Sequence, residues 1–325
     1  MDARRFGDAW DAFAQAATVR PGEASLHLGA GLAAFMLGRN DEARASFERA
    51  LAIDPRYVVA AQWLGRLHYR AGRLTDAIAT YEAALTHAPG TPSLEASLAD
   101  WRSEAELQDG FHSWHGTHFT VLFERPADEA FARRVADTLE EAYWRIGEAL
   151  TTYPTEPVTV VLYSRAQYRD ITRLPSWTAA AYDGRIRVPV PEALEQPEEL
   201  DRVLGHELVH AVVAMVGGRV VPVWLNEGLA TVLAGGADAE QVLARGTARP
   251  SLDRLHGSFV GLAADEAQMA YAVSAHAARR LIELRGASTV VTLLRDLAQG
   301  APFDTAFQQW IAMPYHEFQD MIARE

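Results

Sequence analysis

The strongest constraint on the fold is a repeat of 34 residues within the first hundred. Small, aromatic and proline residues recur at this offset, as if one helix pair had been copied. The matched pairs are Gly31 with Gly65, Gly38 with Gly72, Ala43 with Ala77, Phe47 with Tyr81, Ala50 with Ala84, Leu51 with Leu85 and Pro55 with Pro89. Small residues let antiparallel helices approach closely, an aromatic wedges them, and proline ends the second helix. The pattern predicts a stack of helix pairs.

This pattern resembles the tetratricopeptide repeat. It predicts full repeats at about 24–57 and 58–91, with half-repeats before and after them, in an array over 1–108. The half-repeat at the start suggests a longer protein with further repeats upstream. The resemblance implies a concave face that holds a protein or peptide partner. The alternative is a spacer that packs on the rest of the chain.

A second motif, His206-Glu-Leu-Val-His210, predicts a metal site. Histidines four apart on a helix lie on one face, so both imidazoles can reach one ion. Glu207 can then contact a metal-bound water without being a ligand. With 11 histidines in 325 residues, chance gives roughly 0.05 such motifs with an acid after the first histidine. The alternative is a core helix with two hydrogen-bonded histidines.

The predicted third ligand is Glu227, which follows His210 by seventeen residues. A catalytic zinc takes three protein ligands and keeps one position open. The spacing allows one helix to end at Gly217-Gly218 and a second to begin near Pro222. Because the chain has no cysteine, any metal must be held by histidines and carboxylates.

The region after the repeats mixes strand and helix patterns. We predict a linker at 109–116, strands at 118–124, 158–163 and 185–190, and helices at 127–150 and 267–285. Pro189 and Pro191 favour a sheet edge for the third strand, where an extended peptide can pair with the main chain. His112, His115 and His118 suggest a second metal only weakly, because no carboxylates accompany them.

Together, His206–His210, Pro222–Ala230 and Ala270–Ser274 resemble the peptidase MA-like family of gluzincins, the thermolysin-type zinc metallopeptidases. The likeness covers about 117–325. It implies an α+β, mostly helical protein: a tetratricopeptide solenoid followed by a zincin-like domain with a small mixed sheet. In the family, the equivalents of His206, His210 and Glu227 bind zinc and that of Glu207 is the general base.

The likeness also places Tyr271 near the site, where its hydroxyl would stabilise the oxyanion. Packing in a helix interface is the alternative role for Tyr271, and Tyr182 and His276 are further candidates. One departure concerns Thr231, because thermolysin-like enzymes carry at this position an acid that orients a zinc histidine. The Gly-x-Met-Glu-Asn signature of the related aminopeptidases is not found, which counts against an aminopeptidase.

Composition limits the partners. A net charge of −13 argues against nucleic acid or an anionic membrane. No apolar run is long enough for a transmembrane segment, and the first residues do not resemble a secretion signal. We therefore expect a soluble protein whose compartment the sequence does not determine: cytoplasmic, or periplasmic if the chain was trimmed from a longer protein. The expected function is zinc-dependent hydrolysis of peptides or proteins; the alternatives are an adaptor with an inactive peptidase domain and a zinc hydrolase of other substrates.

Overall fold

The computed structural model describes residues 3–172, 180–190, 197–236, 239–244, 249–259 and 261–325. These residues form a helical array, a mixed sheet and a second group of helices, in that order. The helices are α1 (Ala3–Val19), α2 (Ala24–Met36), α3 (Asn40–Ile53), α4 (Val58–Arg70), α5 (Leu74–His87), α6 (Pro92–Asp109), α7 (Glu129–Leu150), α8 (Arg165–Thr172), α9 (Pro197–Gly217), α10 (Val223–Leu233), α11 (Ala239–Leu243), α12 (Ala264–Arg285), α13 (Ala287–Ala298), α14 (Phe303–Ile311) and α15 (Tyr315–Arg324). The strands are β1 (His112–His115), β2 (Phe119–Phe123), β3 (Val158–Ser164), β4 (Ala181–Tyr182) and β5 (Ile186–Val190).

The array is built from the helix pairs that the 34-residue pattern predicted. Helices α2 and α3 form one pair and α4 and α5 the next, with α1 before them and α6 after them. The ring of Phe47 fills the space that a Cβ at Gly31 would need, and the ring of Tyr81 does the same at Gly65. The repeated small and aromatic residues are therefore the contacts that close each helix pair.

The sheet has the order β1-β2-β3-β5-β4. Strands β2, β3 and β5 are parallel, whereas β1 and β4 are antiparallel to their neighbours. Strand β1 lies within 109–116, the segment predicted as a linker without regular structure. Its largely exposed sequence, His-Ser-Trp-His, lacks the apolar alternation that marks a strand.

The predicted edge position of the third strand is wrong for part of its length. Strand β4 pairs with Ile186 and Arg187 of β5, so these residues lie inside the sheet. Pro189 lies beyond the end of β4, and Pro191 lies outside the described residues. Pro189 therefore indicates where the pairing of β5 with β4 ends. The two-residue strand β4 was too short to predict from the sequence.

The main core lies between the sheet, α7 and the helices from α9 onward. Trp224 is fully buried on α10, and α10 packs along α12. Gly228 makes that close packing possible, because a Cβ there would overlap the backbone carbonyl of Ser274. This contact brings α12 next to the second turn of α10.

The array also packs tightly on the rest of the chain. The turn glycine Gly38 of one repeat faces Gly218, and a Cβ at Gly38 would lie 2.6 Å from the Cα of Gly218. One repeat later, Gly72 faces the side chain of Arg185. Two equivalent turns of the array therefore contact the region after it.

A buried ionic cluster lies in the same interface. Glu104 of α6 accepts hydrogen bonds from Arg187 at 2.8 Å, Arg185 at 3.1 Å, Tyr69 at 2.6 Å and Tyr163 at 3.1 Å. Both arginines and Glu104 are at most 3% exposed. Tyr69 belongs to the array and the arginines lie at or just before β5, so this cluster joins the array to the sheet.

Among the described helices, none is both long enough and apolar enough to cross a membrane.

Candidate metal and catalytic site

Two neighbouring helices bring three candidate ligand side chains together. His206 and His210 lie one turn apart on α9, and Glu227 lies on α10. Oε2 of Glu227 is 3.4 Å from Nε2 of His206 and 3.4 Å from Nε2 of His210. One ligand atom from each residue lies within 4.8 Å of the other two, and no other set of His, Cys, Asp or Glu in the described chain converges in this way.

These separations fit a tetrahedral metal site. Zinc binds imidazole nitrogen and carboxylate oxygen at about 2.0–2.2 Å, so two ligand atoms at tetrahedral corners lie roughly 3.4 Å apart. The observed 3.4 Å between Glu227 Oε2 and each imidazole Nε2 matches that spacing. Two imidazoles and one carboxylate are also a donor set of catalytic zinc sites. The residues present therefore fit a zinc ion.

The electrostatics of the cluster favour a cation. Burial alone would raise the pKa of Glu227, but His210 and His206 hold it well below its usual range. Burial would lower the pKa of His210, and the Glu227 carboxylate overcomes this and raises it. A carboxylate charge thus sits between two imidazoles, where a metal ion can take the place of the proton.

His210 is oriented by a residue that the sequence analysis did not identify. Its Nδ1–H donates to the side-chain oxygen of Asn226 across 3.0 Å, which leaves Nε2 free to bind a metal. Thr231, at the position of the missing acid, instead donates to the backbone carbonyl of Glu227. Asn226 directly precedes Glu227 in the chain, so the same helix turn supplies a ligand and the partner of another ligand.

Glu207 lies next to the ligands and is buried, with 6% of its surface exposed. Burial raises the pKa of its carboxyl, against the opposing effect of His210 and His206. The side chain still borders the cleft described below. A buried carboxylate with a raised pKa beside a metal site is suited to accept and release a proton.

The three candidate oxyanion donors have different positions. Tyr271 on α12 borders the cleft and packs edge-on against Phe259, and burial raises the pKa of its hydroxyl. Tyr182 on β4 borders the same cleft. His276 does not line the cleft; its Nε2 is 3.0 Å from the Glu325 carboxylate. Tyr271 and Tyr182 therefore remain candidates.

Two of the three histidines near β1, His115 and His118, have polar partners away from the candidate metal site. Nδ1 of His118 lies 2.7 Å from Oε2 of Glu140, and its ring stacks on Tyr143. His115 contacts Ser113 and Thr120. None of the three belongs to the metal-binding group found in the described residues.

The site opens into a cleft of about 1370 Å³ whose walls come from both parts of the chain. One wall carries His206, Glu207, His210, Glu227 and Tyr271. Other lining residues come from the array. They are Gly38, Arg39, Asn40, Asp41, Glu42, Leu67, Arg70 and Ala71. The sequence did not predict that the repeats would border the site.

The comparisons with known proteins agree with this architecture. Residues 138–316 match the model of the peptidase MA superfamily, a range that includes the three candidate ligands and Glu207. The chain belongs to the peptidase MA superfamily. Two tetratricopeptide repeat models match residues 1–58 and 34–100 of this superfamily member. No curated protein is similar enough to match it.

Membership confirms the resemblance drawn from the two motifs and the repeat. A peptidase MA domain preceded by tetratricopeptide repeats indicates a protein of the peptidase kind that also carries protein-interaction repeats. The mostly helical α+β fold with a small mixed sheet is confirmed as well.

Proposed function

We propose that this protein is a zinc-dependent peptidase. His206 and His210 would bind the ion through Nε2, and Glu227 through a carboxylate oxygen. The observation that carries the proposal is the convergence of these three ligand atoms beside the buried Glu207 carboxylate. When bound, zinc supplies Lewis acidity, which lowers the pKa of a coordinated water to around 7 and polarises the peptide carbonyl.

Glu207 is the proposed general base. Its carboxylate accepts a proton from the attacking water and then donates it to the nitrogen of the leaving amine. The raised pKa of the buried carboxyl makes the protonated form easier to reach at the intermediate stage. Position and protonation behaviour both support this role.

Tyr271 is the proposed oxyanion donor. Its hydroxyl would donate a hydrogen bond to the substrate carbonyl oxygen as negative charge develops there. Because burial raises the pKa of Tyr271, the hydroxyl keeps its proton at neutral pH. Its place in the cleft wall, on the helix that packs against α10, supports the assignment.

We propose that the array occupies 1–108 and the peptidase domain 117–325. The array would serve in substrate recognition, because its turns border the cleft. The protein partner predicted for the concave face stays a prediction.

Elemental analysis and a library of fluorogenic peptides test the proposal. The wild type should hold one zinc per chain and cleave peptides, and His206→Ala should lose most of the metal. Glu207→Gln should keep the metal and lose turnover by several orders of magnitude. A chain without zinc would favour the adaptor with an inactive domain. If the wild type holds zinc but cleaves no peptide, and is thus as inactive on the library as Glu207→Gln, the result would favour a hydrolase of other substrates.

A further inference from the structure

Among the described residues, four arginines line the cleft that holds the candidate metal ligands, and two of them, Arg70 and Arg219, come from different parts of the chain. Arg70 is the last residue of α4 in the array, and Arg219 lies between α9 and α10. Neither forms a salt bridge with a carboxylate among the described residues, whereas Arg185 and Arg187 of the neighbouring interface do.

Arg219 is partly buried and held by uncharged groups. Its Nη1 donates to the Phe35 carbonyl at 2.9 Å and to the side-chain oxygen of Asn40 at 3.0 Å. The guanidinium also lies 3.8 Å from the centre of the Phe35 ring. Burial first, and the nearby charge of Arg70 second, lower the pKa of Arg219 to about 10. Its positive charge is therefore fixed in place and not neutralised by the residues that hold it.

Arg70 is placed by its backbone and exposes its side chain. The carbonyl oxygen of Arg70 lies against Gly184, so closely that a Cβ at Gly184 would overlap it. Burial and the charge of Asp183 raise the pKa of Tyr182, and the charges of Arg219 and Arg70 oppose that rise, so both cations act on the same side chain. Tyr182 also borders the cleft. The two arginines and Tyr182 therefore belong to one region of the cleft wall.

The acidic residues that line the cleft outside the candidate metal site form no salt bridge with Arg70 or Arg219 in the described part of the chain. Asp183 is bound by Nε of Arg187 at 3.0 Å. Asp41 is directed to Arg44 and its side chain is 89% exposed. Glu42 is exposed in the first turn of α3. Guanidinium groups in such a setting bind carboxylates well, because a charged hydrogen bond replaces the lost solvation.

We propose that Arg70 and Arg219 form a carboxylate-binding subsite that selects peptides bearing an acidic side chain or a free C-terminus. The inference rests on the proposed peptidase function and names its substrate class. The array would then contribute directly to substrate binding, since Arg70 belongs to a tetratricopeptide repeat. Both sources of carboxylate share one chemistry, and the experiment separates them.

Peptide selection by a non-cleaving variant tests the proposal. Immobilised Glu207→Gln protein is incubated with a pool of randomised, N-acetylated octapeptides, half with free and half with amidated C-termini. The retained peptides are identified by mass spectrometry. The same pool is applied to Glu207→Gln proteins that carry a second substitution, either Arg70→Glu or Arg219→Gln. The matched control carries Arg66→Glu, because Arg66 is exposed one turn earlier on α4 and does not line the cleft.

Retained peptides should be enriched about tenfold in the preferred carboxylate, the ratio expected for a charged hydrogen bond. Enrichment of Asp and Glu irrespective of the C-terminus assigns a side-chain subsite; enrichment of free over amidated C-termini assigns a terminal one. Arg70→Glu should abolish the enrichment, Arg219→Gln should reduce it, and Arg66→Glu should leave it unchanged.

A retained pool with the composition of the input would overturn the proposal, as would the absence of retention or enrichment that survives both cleft substitutions. These readouts need no turnover. Failure of the subsite with an active zinc enzyme therefore differs from failure of the peptidase function, which the metal and cleavage assays report separately.

Discussion

The Asn226 side-chain oxygen lies 3.0 Å from Nδ1 of His210 and so determines which nitrogen of that imidazole faces Glu227. Thermolysin-like enzymes use an acid four residues after the third ligand for such a task, and here that residue is Thr231. In this protein the side-chain amide of Asn226, one residue before the candidate ligand Glu227, contacts His210 instead, because α10 packs against α9. The change replaces a charged partner with a neutral one.

Asn226→Leu should therefore weaken metal binding. Loss of the partner of a ligating histidine typically lowers metal affinity by about 10–100-fold, because the imidazole loses its fixed tautomer and orientation. Competition with a chromogenic chelator measures the affinity. Asn226→Asp, which keeps an acceptor, should retain it. Thr231→Val serves as the matched control and should bind zinc as the wild type does; equal affinity in Asn226→Leu would remove Asn226 from this role.

Tyr271→Phe should lower kcat and leave zinc content unchanged. Removal of one oxyanion donor costs about 10²–10³ in kcat. Because the lost hydrogen bond forms only as charge develops, KM should change little. Tyr182→Phe is the control, since Tyr182 borders the same cleft. If Tyr182→Phe suffers the larger loss, the role belongs to Tyr182.

The sequence was most informative where contacts are local. The helix pairs could be predicted because Gly31 with Phe47, and Gly65 with Tyr81, repeat one contact at a fixed spacing. The pairing of His206 with His210 could be predicted because the two residues are one helical turn apart on α9.

The contacts between the array and the peptidase domain could not be predicted in this way. Glu104 is separated from Arg185 and Arg187 by 81 and 83 residues, and no periodicity links them. The shared cleft wall depends on this docking, so the position of Arg70 near the site was also out of reach. Asn226 could have been predicted from the sequence. It directly precedes Glu227 in the motif, and a side chain that orients His210 is expected near a metal site of this kind.

Gly184→Ala should lower the free energy of unfolding by more than the cost of its backbone conformation, because it also disturbs the docking of the array. Gly184 has φ of +110°, and a Cβ there would overlap the carbonyl of Arg70. Gly261 has φ of +100° with no atom within 4 Å of a Cβ, so Gly261→Ala isolates the conformational penalty. That penalty is about 1–2 kcal/mol. In chemical denaturation, Gly184→Ala should lose roughly 1–3 kcal/mol more unfolding free energy than Gly261→Ala, which is the cost of overpacking. Equal losses in the two variants would mean that the contact with Arg70 adjusts without cost.

Glu104→Gln should destabilise the junction between the array and the sheet. The substitution leaves Arg185 and Arg187 buried without their shared carboxylate, and breaking a buried ion pair typically costs about 3–5 kcal/mol. Glu82→Gln is the matched control: its partner Arg102 also lies on α6, but both side chains are about half exposed. Such a surface pair contributes about 0–1 kcal/mol. Urea unfolding at pH 7 measures both variants.

The effect of Glu104 should depend on pH in a defined direction. Burial alone would raise the pKa of Glu104, but Arg187, Arg185 and the Tyr69 hydroxyl lower it below its ordinary value of 4.5. A carboxyl with a lower pKa in the folded state stabilises the fold fully above pH 4.5 and loses that contribution as pH falls through the folded value. The difference in unfolding free energy between wild type and Glu104→Gln should therefore be constant from pH 7 to about 5 and shrink below pH 4.5. A difference that grows on acidification would contradict a charged Glu104 in the interface.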